Sequence, residues 1–288
     1  MKIEAHAKIN LGLDVTGRRE DGYHLVRMIM QALELHDTLH FEKTERPGVQ
    51  LETDVPGLAV DKSNLIVRAA ELLFETYAPG KGVRIQLEKK IPLVAGLAGG
   101  STDAAAALRG INELYQLGLD DAELCRLGVQ LGADIPYCIM GGTALSEGIG
   151  EVLTALPDLP FCYIVLGKPE EGMSTAQAYR ELDSMTDIRH PDIGGQIRAL
   201  QEGDLTGVTE RLGNVLEPVT VSHFPEVESI RKILLEAGAA GACMSGSGPT
   251  VFGIFTEEKK ALKACSVLKQ EPSREVILTT PAQNGRNA

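Results

Sequence analysis

A glycine-rich stretch at residues 91–107, IPLVAGLAGGSTDAAAA, has the composition best suited to anion binding in this chain. Glycine permits backbone angles that other residues avoid and lets a ligand approach the main chain. Ser101, Thr102 and Asp103 follow where a helix is expected to begin, and all three are N-cap types. Because a helix N-terminus presents free N–H groups and a positive dipole end, the stretch predicts a phosphate-binding loop. A tight corner before a helix has the same composition, so the pattern alone leaves both interpretations open.

The stretch differs from the two best-known phosphate loops. A Walker A loop has a lysine directly before its Ser or Thr, where Gly100 stands here, and the dinucleotide fingerprint G-x-G-x-x-G is replaced by G-x-x-G-G. A phosphate would therefore be held by main-chain N–H groups and hydroxyls, with cations supplied from elsewhere. Lys89 and Lys90 stand directly before the loop and could supply charge, although a solvated strand end also explains them.

Three further positions combine chemistry with an ordinary explanation. Lys8 begins an alternating apolar run and, taken alone, is a surface lysine. Asp134 stands at a predicted helix-to-strand junction, where a turn residue is favoured over an acid/base group. Tyr23 and His24 follow a hairpin signal, Asp-Gly, where turn packing accounts for them.

Composition restricts the class of protein. The chain has 288 residues, a net charge of −12 and a pI near 5.0, which argues against a nucleic acid partner. Aromatic residues make up 4% of the chain and tryptophan is absent, so base-stacking platforms for single strands are not expected. The five cysteines lack C-x-x-C spacing, which favours reduced thiols in the cytoplasm. The opening residues lack a signal-peptide core, and no apolar run is long enough to span a membrane.

Periodicity predicts two groups of elements. Alternating apolar residues predict strands in the first half at residues 2–15, 24–35, 38–43, 49–53 and 83–88. Helical patterns there cover residues 65–77 and 102–117 and a helix ending at residue 132. The second half predicts a strand at 162–166, helices at 174–184, 192–202, 205–216 and 226–237, two strands around a glycine turn, a helix at 257–269 and a strand at 275–280. This order is close to a split βαβ sandwich, and the PDLP segment at 157–160 marks the predicted boundary.

Three segments together resemble the GHMP small-molecule kinases. PLVAGLAGGSTDAA is similar to their central glycine motif and ACMSGSGPTVFGIF to their C-terminal one. The opening AKINLGLDVTGRREDGYH resembles the branch that acts on a methylerythritol linked to cytidine diphosphate. The resemblance covers most of the chain. It implies an α+β fold with an N-terminal ribosomal-protein-S5-like ATP domain at residues 1–158, a C-terminal ferredoxin-like domain at 159–288, and an active site in the cleft between them.

The resemblance implies a reaction and assigns it residues. It implies transfer of phosphate from ATP, with Mg²⁺, to the 2-hydroxyl of 4-diphosphocytidyl-2-C-methyl-D-erythritol, a step of the non-mevalonate isoprenoid precursor (MEP) pathway. Asp134 becomes the catalytic carboxylate that takes the hydroxyl proton, and Lys8 its cationic partner. Two positions depart from the family pattern: Thr102 stands where a second serine is usual, and Ala98 replaces a glycine, which implies ordinary backbone angles there.

The resemblance also implies binding residues. For ATP they are Pro92, Leu93, Val94, Ala95, Gly96, Leu97, Ala98, Gly99, Gly100, Ser101 and Thr102, with Asn64 and Lys90 nearby. For the substrate, His24 bonds the base edge, while Tyr23 stacks on the base and Tyr179 forms the opposing wall. Asn10 lies near the reacting end, and Thr175 joins the cytidine side. The metal ligand stays open.

Two other functions are compatible with the same motifs. One is a GHMP kinase for a different alcohol, such as homoserine or mevalonate, against which the GYH segment argues. The other is a catalytically silent binding protein, which would be expected to lose Lys8, Asp134 or the loop hydroxyls, all of which are present. The expected partners are small molecules, with no nucleic acid and no membrane, and the chain is expected to be a monomer or a homodimer.

Overall fold

The computed structural model describes residues 1–282; the last six residues of the predicted second domain lie outside it. The strands are β1 (Lys2–Arg18), β2 (His24–Thr44), β3 (Gly48–Thr53), β4 (Gly82–Glu88), β5 (Thr143–Glu147), β6 (Val152–Ala155), β7 (Tyr163–Lys168), β8 (Gly213–Asn214), β9 (Gly241–Met244), β10 (Val251–Phe255) and β11 (Glu275–Thr279). The helices are α1 (Leu65–Tyr77), α2 (Gly99–Tyr115), α3 (Asp121–Gly128), α4 (Ile135–Met140), α5 (Thr175–Leu182), α6 (Ile193–Glu202), α7 (Leu205–Thr209), α8 (Glu217–His223), α9 (Glu226–Glu236) and α10 (Glu258–Leu268).

A long antiparallel hairpin of β1 and β2 forms the centre of the first sheet. The sheet order is β3-β4-β2-β1-β8. Strand β5 pairs with residues 28–31 of β2 on one side and with β6 on the other. The two strands predicted at 24–35 and 38–43 are one continuous strand, β2. The register of β1 on β2 shifts between His6 and Lys8 and again between Asn10 and Gly12. Bulges of this kind bend a strand and redirect its side chains, and here they flank the two polar residues of β1 that are fully buried.

Two helices cover one face of this sheet. Helix α1 begins after Asn64, whose side chain accepts a hydrogen bond from the N–H of Ile66. Helix α2 buries its alanines at residues 104–107 completely or nearly so. Because alanine has a single methyl group, α2 lies close against α1 and β1, and its N-terminus is fixed relative to the hairpin.

The second sheet is antiparallel throughout, in the order β11-β7-β10-β9. Its strand β7 alternates between two apolar clusters. Val165 packs with the side chains of α9 and α10, whereas Ile164 and Leu166 join residues of β1 and β2. The sheet is therefore buried on both faces, with α9 and α10 on one and the first sheet on the other. This arrangement confirms the predicted α+β, split βαβ architecture.

One short strand of the second half belongs to the first sheet. The helix predicted at 205–216 ends at Thr209, and β8 then pairs in parallel with Gly12 and Leu13 of β1. Leu33 and Pro281 form a further bridge between the two halves. The division between residues 158 and 159 stays a prediction, and the hydrogen bonding of the chain crosses it.

Candidate active site

A cleft of about 1000 Å³ opens where the two halves meet. Its walls come from β1 and the start of β2, from the glycine loop and first turn of α2, from the residues before α4, from α5, and from a second glycine loop at residues 245–248. Widely separated parts of the sequence therefore share one cavity. A volume of this size is large enough for a nucleotide and a second small molecule together.

The glycine loop forms a concave row of main-chain N–H groups. The backbone angle φ is positive at every second residue, at Val94 (49°), Gly96 (71°) and Ala98 (59°). Alternation of left- and right-handed residues turns successive N–H groups to one side and creates an anion-binding hollow. Within residues 1–282, no protein acceptor takes a hydrogen bond from the N–H groups of residues 94–101. These donors and the N-terminus of α2 are available to an anionic ligand.

Two expectations about this loop are wrong. Helix α2 begins at Gly99, three residues before the predicted start, so the N-cap types at 101–103 lie inside the helix. The N-cap is Ala98, which has a left-handed conformation and not the ordinary angles expected for an alanine. Val94 is a β-branched residue with positive φ that is 74% exposed, a strained conformation of the type found at ligand sites.

The second glycine loop locks the first in place. The Ser245 hydroxyl donates to the Gly96 carbonyl oxygen at 3.0 Å. A Cβ atom at Gly96 would lie 2.2 Å from the Ser245 carbonyl oxygen, so no larger residue fits there. The Asn214 side chain in turn donates to the carbonyl oxygens of Met244 and Gly246, both at 2.8 Å. Strand β8, which contains Asn214, thereby supports the second glycine loop, and that loop contacts the anion-binding hollow at Gly96.

Lys8 joins the glycine loop to the opposite wall of the cleft. Its side chain is almost fully buried, and its ammonium donates to Asn10 Oδ1 at 2.7 Å and to the Gly96 carbonyl oxygen at 3.1 Å. Because side chains two apart on a strand share a face, Lys8 and Asn10 reach the cleft together. The Lys8 Nζ atom also lies 4.0 Å from Asp134 Oδ2. The two predicted catalytic residues are brought face to face.

Asp134 precedes a helix rather than the expected strand. It occupies the N-cap position of α4, with Pro136 at the start of that helix, and its side chain makes no capping hydrogen bond. The carboxylate is 34% exposed, so it is accessible to a hydroxyl group as well as to Lys8. Burial, and secondarily the Asp134 charge, raise the pKa of Tyr179. The field of this carboxylate therefore extends to the wall predicted to hold the base.

The predicted cytidine residues gather at the far end of the cleft. The rings of His24 and Tyr179 lie 4.9 Å apart between centroids, at an interplanar angle of 31°. Tyr23 is 59% exposed at the mouth, where its face is free to stack on a ligand. Thr175 Oγ1 lies 2.9 Å from Ser247 Oγ, which connects α5 to the second glycine loop.

Models of two known domains match this chain. The model of the GHMP kinases N terminal domain matches residues 64–142, and that of the GHMP kinases C terminal matches residues 196–273. The chain belongs to the GHMP kinase family. It is a kinase, as the sequence predicts, and kinases of this family use ATP.

The proteins most similar in sequence among those compared belong to one branch of the GHMP kinases. A 4-diphosphocytidyl-2-C-methyl-D-erythritol kinase of Lachnospira eligens is 47% identical over 97% of both chains. The crystal structure of a 4-(cytidine 5′-diphospho)-2C-methyl-D-erythritol kinase covers 99% of this chain and 100% of that one, with a TM-score of 0.82 and 34% identity. A homoserine kinase from Cytophaga hutchinsonii has a TM-score of 0.81 at 21% identity, covering 100% of this chain and 96% of its own, which shows the shared fold alone.

Four predicted ATP residues of this GHMP kinase do not line the cleft. Leu97 is buried in the core, and Thr102 directs its hydroxyl to the His6 carbonyl oxygen at 2.8 Å. Asn64 uses its side chain to cap α1 and to donate to the Ala59 carbonyl oxygen at 2.7 Å. Lys90 is exposed outside the cleft. Leu97, Thr102 and Lys90 lie within or next to the loop in sequence, whereas the prediction for Asn64 follows from the family resemblance alone.

Lys89, the neighbour of Lys90, lines the cleft and is held by two carboxylates. Its ammonium pairs with Asp37 and with Asp103 Oδ2, the latter at 2.7 Å, and all three side chains are buried. Burial alone would lower the pKa of Lys89, but the charges of Asp103 and Asp37 outweigh it and raise that pKa. Asp37 Oδ1 also accepts the N–H groups of Lys90 and Ile91, which fixes the start of the glycine loop.

The buried Asp103 carboxyl group holds a proton more readily than an ordinary aspartate. Burial raises its pKa to about 8, against the lowering effect of Lys89. Its Oδ1 atom is buried with no hydrogen-bond partner among the described residues, whereas both oxygens of Asp37 are bonded. An unpartnered buried oxygen disfavours the ionised form, so the geometry agrees with the direction of the shift.

Mg²⁺ fits this site as an ion carried by the nucleotide. In the part of the chain that the structure describes, no group of three His, Cys, Asp or Glu residues could hold a metal. Mg²⁺ usually keeps several waters and binds through substrate phosphates with one or two protein oxygens. The hydroxyl of Ser101 and the carboxylate of Asp134 are oxygen donors that line the cleft.

None of the helices within residues 1–282 is long and apolar enough to cross a bilayer.

Proposed function

We propose that this chain phosphorylates 4-diphosphocytidyl-2-C-methyl-D-erythritol with ATP, using Asp134 as the base and Lys8 as the cation of the reaction. The observation that carries the proposal is the Lys8–Asp134 pair, 4.0 Å apart between Nζ and Oδ2, beside a row of N–H donors that have no acceptor within residues 1–282. Most of the chain is 47% identical to a kinase named for this substrate. The aromatic residues at the far end provide stacking surfaces for a cytosine.

The residues divide the work of phosphoryl transfer. The N–H groups of residues 94–101 bind the phosphates of ATP, and the dipole of α2 favours their negative charge. Asp134 accepts the proton of the attacking hydroxyl, and Lys8 offsets charge on the transferring group. Asn10 fixes the Lys8 ammonium through their 2.7 Å hydrogen bond. Phosphoryl transfer needs mainly positioning and charge stabilisation, and these groups contribute to both.

The same proposal includes Mg²⁺ as the metal bound with ATP and the cytoplasm as the compartment of the enzyme. Mg²⁺ bound with ATP would neutralise the β- and γ-phosphates, with Ser101 and Asp134 as the protein oxygens available to it. All five cysteines are free thiols, which agrees with a reducing compartment such as the cytoplasm.

The test is an ATP-dependent phosphorylation assay on 4-diphosphocytidyl-2-C-methyl-D-erythritol, with homoserine and mevalonate as competing alcohols. We expect turnover of the cytidine substrate alone. Asp134→Asn should lower kcat by about 10²- to 10⁴-fold, the usual contribution of a general base, with an unchanged melting temperature. Turnover of a simple alcohol in preference would replace the substrate, and near-normal kcat in Asp134→Asn would remove this residue from the mechanism.

A further inference from the structure

The far end of the cleft contains a carboxylate that the sequence motifs do not include. Asp183 caps the C-terminus of α5, in the second half of the chain. Its Oδ1 accepts a hydrogen bond from His24 Nε2 at 2.7 Å, and its Oδ2 accepts one from Arg18 Nη1 at 3.0 Å. All three residues line the cleft. A single carboxylate thus joins two residues of the first half to a helix of the second.

The backbone explains why these residues meet. Arg18 and His24 are directly opposite each other in the register of β1 on β2, at the end of the hairpin. Residues opposite each other across an antiparallel pair have neighbouring side chains. On α5, Tyr179 and Asp183 are four residues apart, and the Asp183 N–H donates to the Tyr179 carbonyl oxygen. Residues four apart share a helix face, so Asp183 and Tyr179 approach His24 from the same side.

The hydrogen bond to Asp183 indicates which nitrogen of the His24 ring carries a proton. A carboxylate only accepts hydrogen bonds, so His24 Nε2 carries the proton. The ring orientation is then fixed at both contacts, by Asp183 at the edge and by Tyr179 at the face, 4.9 Å away. Nδ1 makes no hydrogen bond with any group among the 282 residues described. The imidazole is therefore held in one orientation by protein groups and keeps one nitrogen for a ligand.

We propose that Asp183 is a positioning residue of the cytidine pocket, which holds His24 against Tyr179 and ties the β1–β2 turn to α5. The inference rests on the proposed function, because it assigns this end of the cleft to the cytidine group. Asp183 touches neither ATP nor the reacting hydroxyl in this scheme. Its loss should weaken binding of the cytidine part of the substrate and leave the chemical step intact.

The experiment compares KM values for the two substrates in wild type and in Asp183→Ala. We expect the KM for 4-diphosphocytidyl-2-C-methyl-D-erythritol to rise by about tenfold or more, the size of one charge-assisted hydrogen bond. The KM for ATP and kcat should stay within about twofold of wild type. Asp183→Asn keeps an oxygen that accepts from His24 Nε2 but loses the charge that pairs with Arg18, so its KM should lie between those of wild type and Asp183→Ala.

Glu181→Gln is the matched control. Glu181 lies on the same helix and pairs with His223, outside the cleft. This substitution also removes a carboxylate paired with a histidine, but it should leave both KM values unchanged. A general effect of altering α5 would appear in both variants.

Calorimetric titration with cytidine 5′-diphosphate gives a readout independent of turnover. Asp183→Ala should weaken its dissociation constant by the same factor as the KM. If wild type neither binds cytidine 5′-diphosphate nor turns over the substrate, the proposed function fails first. If wild type does both, a substrate KM within twofold in Asp183→Ala, or equal rises in both KM values, overturns the role of Asp183. Should Asp183→Ala not fold, Asp183→Asn decides: it is expected to bind cytidine 5′-diphosphate measurably more weakly than Glu181→Gln, and equal affinity overturns the proposal.

Discussion

Two buried lysines adjoin the glycine loop, and their surroundings differ in the number and distance of carboxylates. Lys8 lies 4.0 Å from one carboxylate, Asp134, which remains 34% exposed. Lys89 is clamped between Asp37 and Asp103, with both side chains buried and Asp103 at 2.7 Å. A loose pair at a solvent-accessible cleft leaves both groups able to contact substrate, whereas in the buried cluster the Lys89 ammonium is already paired with two carboxyl groups. Proximity of a lysine to a phosphate loop is thus a poor guide to its role.

The closed cluster should be the larger contributor to stability. Lys89→Met leaves two buried carboxyl groups without their cation, which should lower the free energy of unfolding by about 3–5 kcal/mol. Chemical denaturation of wild type and Lys89→Met at pH 7 measures this difference in the free energy of unfolding. Lys90→Met is the control, because that side chain is exposed and its loss should change stability by less than about 0.5 kcal/mol. Equal, small losses in the two variants would contradict the contrast drawn between the lysines.

The open pair should matter for rate instead. Lys8→Met removes a preorganised cation from the transferring group and should lower kcat by about 10²- to 10³-fold. The free energy of unfolding should fall less than in Lys89→Met, because Asp134 can recover water and the Gly96 carbonyl oxygen keeps the Ser245 hydroxyl. Steady-state kinetics beside denaturation curves separate the two effects. A Lys8→Met enzyme with full kcat and low stability would reverse the assignment.

A third prediction concerns pH and the buried Asp103. Its pKa in the folded chain is raised to about 8, from an ordinary value of 3.8. Between these values the folded state binds more protons than the unfolded state, so this group makes stability fall as pH rises, until the fall ends above pH 8. Asp103→Asn should remove that decline, and its unfolding free energy relative to wild type should increase from pH 5 to pH 8. Parallel pH profiles of the two proteins would show that Asp103 is ionised throughout.

Local patterns predicted most elements of the fold. Helix α1 matches its prediction at both ends, since a clear apolar face and Pro79-Gly80 define it. The start of α2 was missed because Ala98 adopts a left-handed conformation. The two residues before Ala98 accept hydrogen bonds from Lys8 and Ser245, which are far away in sequence. Propensity describes only neighbours along the chain.

The site residues show the same division. The motifs predicted Lys8 and Asp134 through family resemblance, and the structure brings them together, while their roles stay predictions. Asp183 had no sequence signal, since its partners are 159 and 165 residues away and depend on the hairpin register. The side-chain directions of Thr102 and Asn64 were likewise decided by tertiary contacts, a carbonyl oxygen of β1 for one and a helix cap for the other.

The parallel pairing of β8 with β1 has a consequence for experiments that divide this enzyme. A fragment ending at residue 158 would expose the main chain of Gly12 and Leu13 as a free strand edge, next to apolar side chains such as Ile9 and Leu11 that the second half covers. Open edges of this kind promote self-association between copies. We therefore expect such a fragment to precipitate on expression. A circularly permuted chain keeps every residue but begins at another position, so it would retain the pairing of β8 with β1.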